Sequence, residues 1–107
     1  ELLVCEVGKE SNSYFKILYD GTIADRENYA SIGGDSGEIQ KRLQGGWREG
    51  MNLSEAVQLA REALTRNSDG SASLDQSCLE VAALEQSRDG RKFRRLEVDE
   101  VRGVLGA

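Results

Sequence analysis

The sequence predicts an α+β fold with the element order βββ-αα-ββ-α. The first third of the chain alternates runs of β-suited residues with short polar turns. The middle carries two amphipathic helical patterns, and a further pair of strand runs flanks a Gly-containing turn before a short closing helix. Strands gathered first and helices after them argue for a layered α+β fold rather than alternating βαβ units. At 107 residues the chain is one domain or a piece of one.

The first strand is Glu1–Val7. It reads as near-continuously apolar, the pattern of a strand covered on both faces. It opens abruptly, without an initiator Met or an approach segment, as a domain cut at its first buried strand would. Residues 8–13 (GKESNS) form a polar turn, and Tyr14–Tyr19 form a second strand, so an antiparallel hairpin is expected. Asp20-Gly21 marks the next turn, Asn28–Ile32 a third strand, and Gly33-Gly34 its end.

Asp35, with Glu38 three residues on, has the spacing of a capping box for the first helix. Ile39, Leu43 and Trp47 fall on one stripe, Gly45-Gly46 weaken the helix end, and Gly50 closes it. Asn52 and Glu55 make a second capping box. Leu53, Ala56, Val57, Ala60, Ala63 and Leu64 then form a wide apolar face whose small residues permit close packing. This helix ends near Arg66-Asn67, followed by the loop 68–73 (SDGSAS). Leu79–Leu84 and Phe93–Leu96 are the last strands, joined through a turn at 86–90, and Val98, Val101, Val104 and Leu105 line one side of the closing helix.

Composition removes several chemistries. Fourteen Lys and Arg against nineteen Asp and Glu give a net charge of −5, which argues against a nucleic-acid module. The absence of histidine excludes Ser-His-Asp triads, Cys-His pairs and His-ligated metals within this chain. Cys5 and Cys78 make neither a disulfide framework nor a zinc knuckle, and read as two small buried apolar residues. No apolar run approaches the ~20 residues needed to cross a bilayer, and no basic-then-apolar opening suggests a secretory signal.

The remaining candidates are weak. Gly33-Gly34-Asp35-Ser36-Gly37 precedes a helix, where backbone amides can hold an anion, but it is neither a dinucleotide fingerprint nor a P-loop, and a tight turn with an N-cap explains it. Glu97, Asp99 and Glu100 lack the spacing of a calcium loop and suit a helix N-terminus. Arg88, Arg91, Lys92, Arg94 and Arg95 form a basic cluster in an acidic chain, either solvated or a dock for acidic partners. Ser36, Ser77 and Thr22 are hydroxyl nucleophiles without a His base, and no motif joins them to Lys9, Lys16, Lys41 or Lys92. No catalytic, cofactor-binding or metal-ligating residue is therefore assigned.

Several segments together resemble the α subunits of actinobacterial proteasomes. Leu18–Asp25 (LYDGTIAD) is similar to their strand-following segment, Ile32-Gly33-Gly34 to a strand-to-helix junction, and Asn52–Ala60 (NLSEAVQLA) to the start of a long helix. The pair Leu79–Leu84 (LEVAAL) and Phe93–Leu96 (FRRL) carries the most specific likeness, to a strand pair near the C-terminus of α subunits. The resemblance implies an N-terminal-nucleophile hydrolase sandwich, two stacked antiparallel sheets between helix layers, of which residues 1–107 would be the C-terminal half. It implies a non-catalytic, cytoplasmic subunit without cofactor or metal. Its partners would be other α subunits in a seven-membered outer ring, the catalytic β subunits, and a regulatory ATPase ring. The gating tail and the activator-pocket lysine would lie outside this half, and substrates would be proteins tagged with a small ubiquitin-like modifier. No nucleic acid or membrane is implied.

A β-type or other N-terminal-nucleophile hydrolase is the alternative within that fold. It would need an N-terminal Thr, and Glu1 is not one, so no catalytic role passes to Gly33–Ser36. An unrelated α+β interaction domain using the 88–95 hairpin is the third reading. An isolated half would also expose its inner sheet faces, so self-association is expected.

Overall fold

A computed structural model describes residues 1–33, 35–65 and 79–105. The elements are β1 (Leu2–Val7), β2 (Asn12–Ile17), β3 (Ile23–Arg26), α1 (Ser36–Gly46), α2 (Leu53–Thr65), β4 (Ala82–Leu84), β5 (Phe93–Arg95) and α3 (Val98–Val104). The order is the βββ-αα-ββ-α expected. The end of the second helix at 66–67, the loop 68–73, Gly34, Ser77 and Cys78 lie outside the described residues.

The first sheet runs β1-β2-β3, antiparallel throughout. Its first hairpin closes over residues 8–11, with the Gly8 N–H donating to the Ser11 carbonyl at 3.0 Å. A Cβ on Gly8 would stand 2.5 Å from that same backbone oxygen, so the turn needs glycine for space. The second hairpin is tight. Leu18 N–H donates to the Thr22 carbonyl, Gly21 N–H to the Leu18 carbonyl, and Thr22 N–H to Asp20 Oδ1. That turn decides the third strand. The chain reverses by Thr22 and pairs at once, Ile23 opposite Ile17 and Arg26 opposite Tyr14. The expected strand at Asn28–Ile32 is therefore replaced by one at 23–26. Asn28, at φ 72, turns the chain off the ladder, and residues 29–32 have no strand partner among the described residues.

Residues directly opposite in an antiparallel ladder share a face. Leu2, Val4, Phe15, Ile17 and Ile23 thus form one face, and Leu3, Cys5, Tyr14, Lys16 and Ala24 the other. The first face is open: Leu2 is 62% exposed and Ile23 64%. The expectation that β1 is covered on both faces fails here, because no described layer packs on that side. Cys5 is likewise exposed rather than buried.

Helix α2 has the cap that its sequence announces. Glu55 N–H donates to Asn52 Oδ1 at 2.8 Å, and Asn52 N–H to Glu55 Oε1 at 3.3 Å. At α1 the analogous box does not form. Asp35 makes no side-chain cap bond, and Glu38 pairs with Lys41 at 3.5 Å instead. Helix α1 stops at Gly46, and Trp47 caps its end with an N–H to the Leu43 carbonyl and packs on Tyr29, ring centroids 6.2 Å apart. Arg42 Nη1 donates to the Ala63 carbonyl at 2.7 Å, which joins α1 to the backbone near the end of α2.

The core sits at the other side of α2. Val57, Leu96, Val101 and Leu105 are buried together, with Leu79, Val81, Ala83 and Val104 packed on them. Helix α2, the β4–β5 hairpin and α3 meet there. Three of the apolar residues expected along the closing helix take part, while Val98 stays 62% exposed. Ser54 Oγ and Gln58 Nε2 both donate to the Val104 carbonyl and hold α3 against α2.

Candidate functional site

Two regions merit a functional reading: the space between the first sheet and the helices, and the β4–β5 hairpin.

The inner face of the first sheet looks across a cavity of about 1340 Å³ toward the helices, lined among others by Leu3, Cys5, Tyr14, Trp47, Ala56 and Ala60. Ala56 and Ala60 are the small residues of the α2 apolar face, and they point into this space rather than into the core. Although Cys5 is exposed, desolvation by its neighbours pushes its thiol above the ordinary value, which lowers its thiolate content.

The hairpin is braced from both ends. The β4–β5 register pairs Ala82 with Arg95 and Leu84 with Phe93, extended by Leu96 N–H to the Val81 carbonyl at 2.9 Å and Glu85 N–H to the Lys92 carbonyl at 2.9 Å. Arg94 donates through Nε to Glu85 at 2.7 Å and through Nη1 to both Glu100 oxygens at 2.6 and 2.7 Å. Those bonds, Glu100 first and Glu85 second, hold the guanidinium still further above its already high ordinary value. Arg95 bonds Glu80 at 2.8 Å. Two of the five cations in the basic cluster are therefore spent on internal ion pairs, and one of them ties β5 to α3.

The other expected candidates are absorbed by structure. Glu100 belongs to Arg94 and Asp99 pairs with Arg102 at 3.6 Å. Among the described residues no three His, Cys, Asp or Glu side chains are grouped so as to hold a metal ion. At the Gly33–Ser36 junction, Ser31 Oγ donates to the Ser36 carbonyl at 2.8 Å, which anchors the start of α1. Lys16 pairs with Glu1, Lys41 with Glu38, and the Lys92 ammonium bonds the Arg88 carbonyl, so these amines face groups other than a hydroxyl nucleophile.

One contact had no sequence signal. The Gln86 side-chain amide donates to the Gly8 carbonyl at 2.7 Å and the Lys9 carbonyl at 2.9 Å, clamping the β4–β5 turn to the β1–β2 turn. A lone Gln in a turn does not announce a partner 78 residues away.

The family model described as "Proteasome subunit" matches residues 1–84. The chain belongs to the proteasome subunit family. Several similar relatives carry the name "Proteasome subunit alpha". It is similar to "Proteasome subunit alpha" of Xylanimonas cellulosilytica, 40% identical over 106 residues covering 90% of this chain and 43% of that protein. It is similar to the protein of the same name from Kineococcus radiotolerans, 35% identical over 98% of this chain and 48% of that protein. The "Proteasome subunit alpha" of Acidimicrobium ferrooxidans is 40% identical over 99% of this chain and 45% of that protein. The chain thus spans under half the length of these relatives. The proteasome resemblance read from LYDGTIAD, NLSEAVQLA, LEVAAL and FRRL is the relationship that the comparisons find. No described helix is long and apolar enough to cross a membrane.

Proposed function

We propose that this chain is the C-terminal half of a single α-type proteasome domain, a non-catalytic wall segment of the outer ring. In this reading seven α subunits form the ring, the ring stacks on β subunits that carry the threonine nucleophiles, and its outer surface receives a regulatory ATPase in the cytoplasm. The observation that carries the reading is the extent of the likeness: proteins named α subunits align with 90–99% of the chain at 35–40% identity. The geometry agrees with it. The Thr22 N–H and the Ser36 carbonyl are engaged in a turn and a helix start, and Lys16 and Lys41 in ion pairs with carboxylates. The order βββ-αα-ββ-α suits the back half of an N-terminal-nucleophile sandwich, and the open face at Leu2 and Ile23 suits a layer supplied by the front half.

The test uses the full-length gene product. Native mass spectrometry is expected to show seven-membered rings, alone or stacked on a β subunit. Fluorogenic peptides are expected to be cleaved only when a β subunit is present. Cleavage by the product alone, with a processed N-terminal Thr, would establish the β-type alternative instead.

A further inference from the structure

The two turns clamped by Gln86 bring Lys9 and the segment Arg88–Lys92 to one end of the molecule. The ion pairs of Arg94 and Arg95 leave a distinct set of cations there. Arg88 and Arg91 are exposed, and among the described residues no carboxylate lies within ion-pairing distance of Lys9, Arg88, Arg91 or Lys92. Glu10 and Asp89 sit in the same turns, so the end keeps a net positive charge on a chain of net −5. The Arg91 guanidinium lies over the Phe93 ring, 5.4 Å from its centroid, and that ring is 44% exposed. The turn is held from within as well: Arg88 N–H donates to the Glu85 carbonyl at 3.2 Å, and the Lys92 ammonium to the Arg88 carbonyl.

We propose that this end is a docking surface for a short acidic segment of a partner protein, one with an aromatic or large apolar side chain beside its carboxylates. The chemistry follows from the parts. Two unpaired guanidinium forks match carboxylates bidentately, and the half-exposed Phe93 offers an apolar seat next to them. The prior bracing of the turn lowers the ordering cost of binding. A nucleic acid fits less well. The cations cover two adjacent turns rather than a stripe, and the rest of the chain repels a long polyanion. The proposal stands on the hairpin geometry alone.

The test is fluorescence anisotropy on the full chain with a labelled peptide alternating Glu and Tyr, and with labelled oligouridylate of similar charge. The peptide is expected to bind, and to weaken severalfold between about 50 and 300 mM salt. The double variant Arg88→Ser/Arg91→Ser is expected to weaken peptide binding by about tenfold or more through loss of charge-assisted bonds. Arg95→Ser, which removes a cation already paired with Glu80, is expected to change it less than about twofold. Both changes are at exposed side chains, and unchanged thermal melts would confirm the fold. Absence of peptide binding, equal effects of the two variants, or tighter binding of oligouridylate would each overturn the proposal.

Discussion

Leu96→Ala is the sharpest probe of where this chain keeps its stability. Leu96 is 5% exposed and packs with Val57, Val101 and Leu105 at the junction of α2, the β4–β5 hairpin and α3. Truncation removes roughly three methylene equivalents, about 2.4 kcal/mol at ~0.8 kcal/mol each, and the residual cavity raises the expected loss to about 3–4 kcal/mol. A domain of this size holds about 5–15 kcal/mol in total, so the variant should lose a large share of its stability. Leu2→Ala makes the same chemical change on the open sheet face, where Leu2 is 62% exposed. Only about a third of the transfer term applies there, about 1 kcal/mol or less. Urea titration followed by tryptophan fluorescence, with a common m-value, measures both. Equal losses at the two positions, or a Leu96→Ala loss below about 1 kcal/mol, would refute a core centred on the hairpin and α3.

Other outcomes follow from single contacts. Gly8→Ala is expected to cost about 1 kcal/mol, because its Cβ would meet the Ser11 carbonyl and break the turn's hydrogen bond. Gly45→Ala, in α1 with open space around its Cβ, is expected to gain about 0.5–1 kcal/mol of helix stability; thermal melts decide both. Hydrogen bonds from Thr22 hold the Asp20 carboxyl below its ordinary value. The contribution is therefore present above the unfolded value near pH ~4 and fades as the pH falls through the lower folded value. Wild type and Asp20→Ala should differ at pH 6 and converge in strong acid; a difference that grows on acidification would contradict the assignment. Replacing Leu2 and Ile23 by Lys should lower self-association of the isolated chain in light scattering, and an unchanged mass distribution would show that the open face is not what sticks.

Local signals were legible in the sequence where the partner was close along the chain. The Asn52–Glu55 box formed as spaced, since both of its bonds lie within one helical turn. The Asp35–Glu38 box did not, since Lys41 lies one turn away and competes for Glu38. The third strand was misplaced because β propensity at Asn28–Ile32 says nothing about the length of the preceding turn, and the turn at Asp20–Thr22 sets the pairing. The basic cluster was visible as composition, but its division was not. Glu100 and Glu80 reach Arg94 and Arg95 only once α3 and β4 are in place. The exposure of Cys5 and of β1 depends on which layers cover the sheet, a property of tertiary arrangement that an apolar run does not encode.

Complementation tests the proposed architecture most directly. The chain is mixed with the first half of the α subunit from Xylanimonas cellulosilytica, and the product is sized by chromatography with light scattering in the presence of a hydrophobic dye. If the open face at Leu2, Val4 and Ile23 receives a layer from a front half, a one-to-one complex forms and dye binding falls. If the chain stays monomeric, binds no dye on its own and ignores the added half, the proposal that it is the back of a larger sandwich is contradicted.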